Sequence, residues 1–284
     1  MSESSEPEGR GAAWTPSEPS GRGAAWTEER SDEGRQHLEA AATASGKYSG
    51  QALKVIVTGC PRADPDEVAR LAEFGVATGH EAAGRTGYLG PGIRPVHLGA
   101  RIGGTAVTAV CWPGDNLMIH AAVEQCGPGD ILVVTTTSPS SDGAFGELLA
   151  TSLQQRGVRG LVTTGGVRDV AELQAMRFPV FSAAVSAQGT VKATAGAVNV
   201  PVSINGQLIA PGDAIVADDD GVLVVPRDRV ADVAAAARAR ASREEAARAA
   251  FRAGELGLDR YGLRGVLAQQ GVEYVDHADY LGRP

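Results

Sequence analysis

The stretch GELLATSLQQRGVRGLVTTGGVRD, residues 146–169, decides how this chain folds. It reads as a helix opening on a carboxylate, a turn at Gly157, a β-branched strand over 160–164, and a glycine-rich turn ending in Arg168-Asp169. A helix packed on a parallel sheet runs back against its strands. Its N-terminus and the next strand's C-terminus therefore share one edge. Glu147 and the Arg168-Asp169 pair, separated by 20 residues, are expected to converge there, where open α/β sheets place their ligands. Leu148, Leu149, Ser152 and Leu153 are expected to form the packing stripe of the helix. Two carboxylates, a guanidinium and helix-start N–H groups in one crevice suit a divalent metal and an anionic substrate.

Working outward, ILVVTTT at 131–137 is an apolar, β-branched run expected of a strand buried on both faces, which completes a right-handed βαβ unit. Upstream, KVIVTGC (54–60) reads as a strand or a strand-like entry, and Pro65-Asp66-Glu67 opens a helix with acidic residues in its first turn. Residues 78–85 read as a separate capped short helix. ARIGGTAVTAVC (100–111) is strand-like and lacks the dinucleotide-binding glycine pattern. Asp115 or Asn116 caps the helix that follows, with His120 one turn on. Downstream, a helix over VAELQAM leads to a strand in PVFSAAVSA. A strand-rich block follows, with turns at Asn205-Gly206, Pro211-Gly212-Asp213 and Asp220-Gly221. Such a block directly after βαβ units implies a second β layer. From Pro226 to about Gly254 the chain reads as one long Ala-, Arg- and Glu-rich helix, solvated or bridging subunits.

The expected fold is therefore α/β: a layered α/β/β sandwich with βαβ units, a long C-terminal helix and a disordered N-terminal tail. The boundaries fall at 1–48 for the tail, 49–225 for the core and 226–284 for the helical extension. The tail contains a repeat, GRGAAWT at Gly9–Thr15 and again at Gly21–Thr27, too short and polar to build a solenoid.

Bulk properties narrow the function. The 284 residues are 43% hydrophobic but 5% aromatic, and no run of about 18 apolar residues suggests a membrane span. The acidic, polar N-terminus is unlike a secretory signal. A formal net charge of −8 opposes a large nucleic-acid footprint. Three cysteines without metal-ligand spacing suit a reducing cytoplasm and read as structural thiols. Of the three lysines, Lys47, Lys54 and Lys192, only Lys192 is placed for a pocket, where it suits a distal carboxylate better than an imine. Asp218-Asp219-Asp220 has no calcium loop around it and reads as a turn.

Taken together, HEAAGR (80–85), GTAVT (104–108), PGDNLMIHAA (113–122), GELLATSLQQRGVRG (146–160), GGVRD (165–169), FPVFS (178–182), VSAQGTVKATAGAVNVPV (185–202) and PGDAIVADDDGVLVVP (211–226) closely resemble the class II pyruvate aldolases. These act on 4-hydroxy-4-methyl-2-oxoglutarate and 4-carboxy-4-hydroxy-2-oxoadipate, and their wider fold family includes the regulator of ribonuclease activity A. The likeness runs from about Thr58 to about Leu263 and takes in GELGLDRYGL (254–263).

The resemblance implies a cytoplasmic lyase of aromatic-compound catabolism with oxaloacetate decarboxylase side activity. Asp169 would ligate Mg²⁺ or Mn²⁺ directly, and Glu147 would hold metal-bound water. Arg168 would bind the pyruvyl carbonyl and stabilise the enolate. The N–H groups of Leu148 and Leu149 would receive the substrate carboxylate. Glu81, of the catalytic pocket, and Asn116 match pocket positions. Glu244, with Glu245 beside it, resembles an acid donated to the metal site by a neighbouring subunit of a homotrimer or homohexamer. The implied partners are a small 2-oxo acid and further copies of the chain, with no nucleic acid and no membrane. A reading from another class is a non-catalytic, ribonuclease-binding module, and a third is the same scaffold recruited to a related 2-oxo acid.

Overall fold

A computed structural model describes residues 54–282, so the expectation for the N-terminal tail lies outside the described residues. In chain order these are β1 (Val55–Ile56), α1 (Pro65–Ala82), β2 (Arg94–Pro95), β3 (Ile102–Cys111), α2 (Leu117–Gln125), β4 (Asp130–Thr136), β5 (Gly143–Phe145) and α3 (Glu147–Gln155). Then come β6 (Gly160–Val167), α4 (Val170–Ala175), β7 (Val180–Val185), β8 (Ala197–Val198), β9 (Val202–Ile204), β10 (Gln207–Ile209), β11 (Ala214–Asp218) and β12 (Gly221–Val225). The described chain closes with α5 (Val230–Arg252), α6 (Gly257–Arg260), α7 (Leu263–Gln269) and α8 (His277–Leu281).

The main sheet has the order β1-β8-β3-β4-β6-β7-β2, in which β3, β4, β6 and β7 run parallel. Their carboxyl ends therefore share one edge. Alternation along these strands separates two cores. One face turns Val107, Leu132, Val134 and Leu161 toward Ile119, Ala122, Ala150, Leu153 and Leu173 of α2, α3 and α4. The other turns Ala106, Ile131, Val133, Val162 and Phe181 toward Val202, Ile204 and Ile209 of the β9–β10 hairpin and toward Ile215, Ala217, Val222 and Val224. The strand-rich block thus forms the second β layer. Its β11–β12 hairpin stays tied to the main sheet through antiparallel pairing of β11 with β3.

Behind that hairpin lies a third core, where Ala214, Val216, Leu223 and Val225 meet Val68, Leu71 and Val76 of α1 and Val230, Val233, Ala234 and Ala237 of α5. The long helix is therefore not solvated throughout. Its first two turns are anchored, because the sparse apolar residues of a charged sequence cluster at that end.

Two local expectations change. The separate helix expected at 78–85 is present with shifted bounds, as the second segment of α1, which follows a break at Gly75 (φ 76°, a value glycine adopts readily) and ends at Ala82. The carboxylate of Asp218 accepts the freed Val76 N–H at 2.9 Å and so caps the second segment. Asp218 also accepts the Asp220 N–H at 2.9 Å, which makes the acidic triple a hairpin turn as its composition implied. Second, Gly165-Gly166 lies within β6 rather than in a turn. A Cβ on Gly166 would stand 2.1 Å from the Ser141 carbonyl oxygen, so this glycine lets β5 and its approach close on β6.

The Cys111 and Cys126 thiols are buried, and burial pushes both up to about 12. They are inert packing groups. No helix among the described residues is long and apolar enough to cross a membrane.

Candidate functional site

The strand β6 ends at Val167, and the chain turns sharply where the Arg168 N–H donates to the Phe145 carbonyl at 2.9 Å. Asp169 takes the left-handed conformation (φ 58°, ψ 42°), which aspartate tolerates better than most residues. Its carboxylate then stands over the start of α3, and Oδ2 accepts the Glu147 N–H at 3.1 Å. Gly146 is required here, because a Cβ would lie 2.2 Å from that oxygen. The Arg168 Nε is 3.6 Å from the same oxygen. The expected return of Glu147 onto Arg168-Asp169 is thus realised.

The packing stripe of α3 differs from the expected one. Leu149, Ala150 and Leu153 are buried, whereas Ser152 is exposed and Leu148 is 78% exposed. Leu148 is free of the core because it sits on the crevice rim. The N–H groups of Leu148 and Leu149 belong to the first helical turn and have no intrahelical acceptor. They carry the positive end of the helix dipole.

Three further segments wall the crevice, which holds about 170 Å³. That is below the roughly 300–1,000 Å³ of pockets for drug-sized ligands and suits a small acid. Gly143 and Ala144 of β5 form one side, where the Gly143 N–H donates to the Gln188 carbonyl at 2.8 Å. Asn116 and His120, one turn apart at the start of α2, form a second, and Gly189, Thr190 and Lys192 a third. Asn116 is 8% exposed and donates from Nδ2 to the Ala144 carbonyl at 2.9 Å. Its buried Oδ1 has no hydrogen-bond partner among the described residues. An orphaned acceptor in a crevice wall is unusual and points to a ligand, ion or water. Burial first, and then the charge of Lys192, hold His120 below its ordinary pKa.

Arg168, Asp169, Leu148, Leu149, Asn116 and Lys192 are therefore gathered in one crevice. Glu147 does not line it; its N–H donates to Asp169, while its carboxylate accepts the Thr151 hydroxyl at 2.9 Å along its own helix. Glu81 and Glu244 do not line the crevice of their own chain. They meet each other through Arg240, at 3.5 and 2.7 Å, and Glu81 also pairs with Arg85 at 3.2 Å, which lowers its pKa through that hydrogen bond. His80 packs its ring on Tyr88 with centroids 5.8 Å apart, as a structural histidine would. The four-residue spacing of His120 from Asn116, visible in the sequence, is the signal that sets both on one wall. Thr190 and the β5 wall were not foreseen, since nothing local marks a loop that enters a crevice through sheet order.

Among the described residues, no group of three or more His, Cys, Asp or Glu side chains could hold a metal ion. Asp169, with the Asn116 Oδ1 in the same crevice, offers hard oxygen donors of the kind Mg²⁺ and Mn²⁺ accept. One or two carboxylates plus water and substrate are the usual Mg²⁺ shell. The residues present fit such an ion held by few protein ligands.

Residues 66–224 match the family described as RraA-like, Aldolase/RraA. A protein of Halalkalibacterium halodurans is 31% identical over 154 residues, covering 54% of this chain and 73% of its own. One of Burkholderia multivorans is 40% identical over 143 residues, covering 50% and 87%. Both carry the provisional name 4-hydroxy-4-methyl-2-oxoglutarate aldolase. Among solved structures, an uncharacterized protein from Pseudomonas syringae pv. tomato superposes with a TM-score of 0.60 at 26% identity, covering 70% of this chain and 97% of that one. Streptomyces coelicolor RraAS2, described as an unusual member of the RNase ES inhibitor RraA protein family, gives 0.59 at 29% identity, covering 66% and 98%.

Proposed function

The chain belongs to the RraA-like family, and from that premise we propose that it is a metal-dependent aldolase cleaving 4-hydroxy-2-oxo acids to pyruvate. The substrate class is 4-hydroxy-4-methyl-2-oxoglutarate or 4-carboxy-4-hydroxy-2-oxoadipate, and oxaloacetate decarboxylation would follow from the same site. The observation that carries the proposal is the meeting of Arg168, Asp169 and the free N–H groups of α3 in one crevice.

Retro-aldol cleavage leaves the enolate of pyruvate, and its developing charge needs fixed positive partners. Arg168 supplies a guanidinium to the 2-oxo oxygen, and the N–H groups of Leu148 and Leu149 receive the adjoining carboxylate. Asp169 and Asn116 would hold Mg²⁺ or Mn²⁺, with Glu147 beside them for a coordinated water. Such an ion supplies Lewis-acid polarisation of the 2-oxo group. Lys192 and His120 stand on the walls where a distal carboxylate would bind. Removal of the C4 hydroxyl proton falls to a carboxylate-held water, for which Glu147, Glu81 and Glu244 are the candidates.

In this reading Glu244, which lies outside the crevice of its own chain, completes that of another copy, in a trimer or a hexamer of paired trimers. Among the described residues, the helices α6, α7 and α8 bury no side chain, and Leu263, Val266 and Leu281 on them and Leu256 and Tyr261 flanking α6 are exposed. Helices this short do not hold their shape uncovered. Light scattering is expected to show an oligomer. A monomer that turns over would sink this part of the proposal.

Pyruvate release from oxaloacetate and from 4-hydroxy-4-methyl-2-oxoglutarate should require Mg²⁺ or Mn²⁺ and stop on adding EDTA. The description of the Streptomyces neighbour favours a second reading, a ribonuclease-binding module. No metal-dependent turnover, together with binding to a ribonuclease, would replace the first reading by the second.

A further inference from the structure

We propose that Asp115 is a positioning residue of the crevice, its buried carboxylate clasping the loop that carries Thr190 and Lys192 to the helix that carries Asn116 and His120. The side chains named stand on facing walls, which meet at a single isolated parallel β-bridge between Asp115 and Val191.

Asp115 is 3% exposed, and both its oxygens are occupied. Oδ1 accepts the Leu117 N–H at 2.8 Å, which caps α2. Oδ2 accepts the N–H groups of Ala193 at 2.8 Å and Thr194 at 2.7 Å. One carboxylate thus spans two segments about 78 residues apart in sequence. Two backbone bonds run alongside, from the Val191 N–H to the Gly114 carbonyl at 2.9 Å and from the Asn116 N–H to the Val191 carbonyl at 3.0 Å.

Elsewhere the loop is held by single bonds to its carbonyls, from the Gly143 N–H to Gln188 at 2.8 Å and from Trp112 Nε1 to Ala195 at 3.0 Å. Residues 183–195 include no buried side chain, so hydrophobic packing does not fix where Lys192 lies. Its place is set by these polar contacts, with Asp115 at their centre. Burial acts to raise the Asp115 pKa, but the N–H groups of Leu117, Ala193 and Thr194 prevail and hold it below the ordinary carboxylate value. Three backbone N–H donors thus converge on this one carboxylate and make the clasp. An asparagine of the same shape cannot reproduce it, because its NH₂ would face either the Leu117 donor or the loop donors.

Asp115 touches no substrate in this scheme, so it acts through Lys192 and Asn116. The kinetic arm of the test rests on the aldolase reading, whereas the exchange arm does not. In the full-length oligomer, Asp115→Asn and Lys192→Ala should each raise KM for a 4-hydroxy-2-oxo acid about tenfold, with kcat changed by less than about threefold. The double variant should be no worse than either single one. Asp115 and Lys192 side chains make no mutual contact, so such non-additivity means that one places the other. Strictly additive effects would overturn the proposal.

Hydrogen exchange supplies the second readout. In Asp115→Asn the amides of residues 190–194 should exchange about tenfold faster, while those of β4 and β6 keep their protection. Unchanged loop exchange would overturn the clasp whatever the substrate proves to be. Should Asp115→Asn fail to fold, Ala193→Pro removes one loop donor while leaving the α2 cap intact. It should reproduce the KM rise and the faster exchange, and an unchanged KM and loop exchange in that variant would equally refute the clasp. If the wild type turns over no 4-hydroxy-2-oxo acid, the aldolase reading fails, and the exchange result alone decides the clasp.

Discussion

Arg168→Ala is expected to lower kcat/KM for 4-hydroxy-2-oxo acid cleavage by about 10²–10³-fold, with most of the loss in kcat. The expectation rests on how firmly the residue is aimed. Its backbone N–H is fixed to Phe145, and its stem passes within 3.4 and 3.1 Å of where Cβ atoms on Gly143 and Gly146 would lie. Of the two, only a Cβ on Gly146 would crowd the stem, and the guanidinium emerges beside Asp169. A donor held in that way needs no reorganisation as charge builds on the enolate oxygen, which is the condition under which one donor matters most. Arg168→Lys should recover only part of the rate, because a single ammonium lacks the planar fork that engages oxygen pairs. The side chain is 47% exposed and buries little, so the melting temperature should stay within about 2 °C of wild type. Steady-state kinetics on both variants, beside thermal melts, test this directly. Activity within about threefold of wild type for Arg168→Ala would remove the arginine from the mechanism.

Arg62→Ala should do the opposite, costing stability while leaving the crevice chemistry alone. Asp130 begins β4, at the sheet edge opposite the crevice, with its side chain 1% exposed. It accepts two bonds from Arg62 at 2.8 Å, one from the Thr105 hydroxyl at 2.6 Å and one from the Gly127 N–H at 2.8 Å. Arg62 is half exposed and gives up little hydration to form the pair. Its removal, in contrast, strands a buried carboxylate with two neutral donors. Breaking a buried pair from one side costs about 3–5 kcal/mol, and the exposure of Arg62 favours the lower end. About 3 kcal/mol corresponds to a fall in melting temperature of roughly 6–12 °C for a domain of this size. Asp130→Asn should be milder, since it removes the stranded charge along with the pair. A loss below about 1 kcal/mol in Arg62→Ala would show that water reaches Asp130.

Both residues show how legibility in the sequence depended on distance along the chain. Arg168 and Asp169 were readable because one helix and one strand join them to Glu147, and the antiparallel return of a βαβ unit leaves a single edge for all three. The strand cores over 131–137 and 160–164 were readable for the same local reason, as β-branched runs have few alternatives. The break in α1 was misplaced because its cap, Asp218, comes from a hairpin 142 residues later. Leu148 was assigned to the core because helical spacing cannot distinguish a buried leucine from one at a crevice rim.

The sequence by itself determined the βαβ scaffold, the edge at which Glu147, Arg168 and Asp169 gather, and the family to which the motifs belong. Only the tertiary structure decided which other segments meet them there. The order β3-β4-β6-β7 sets the ends of four parallel strands side by side, and so brings Asn116, Ala144, Asp169 and Lys192 to one crevice. No local periodicity encodes that order, because it is fixed by which faces bury best against the second β layer. The structure likewise decided that Asp115 joins two walls and that Arg240 gathers Glu81 and Glu244 away from their own crevice. Polar contacts across such separations depend on burial and on donors brought together by folding, neither of which exists in the unfolded chain.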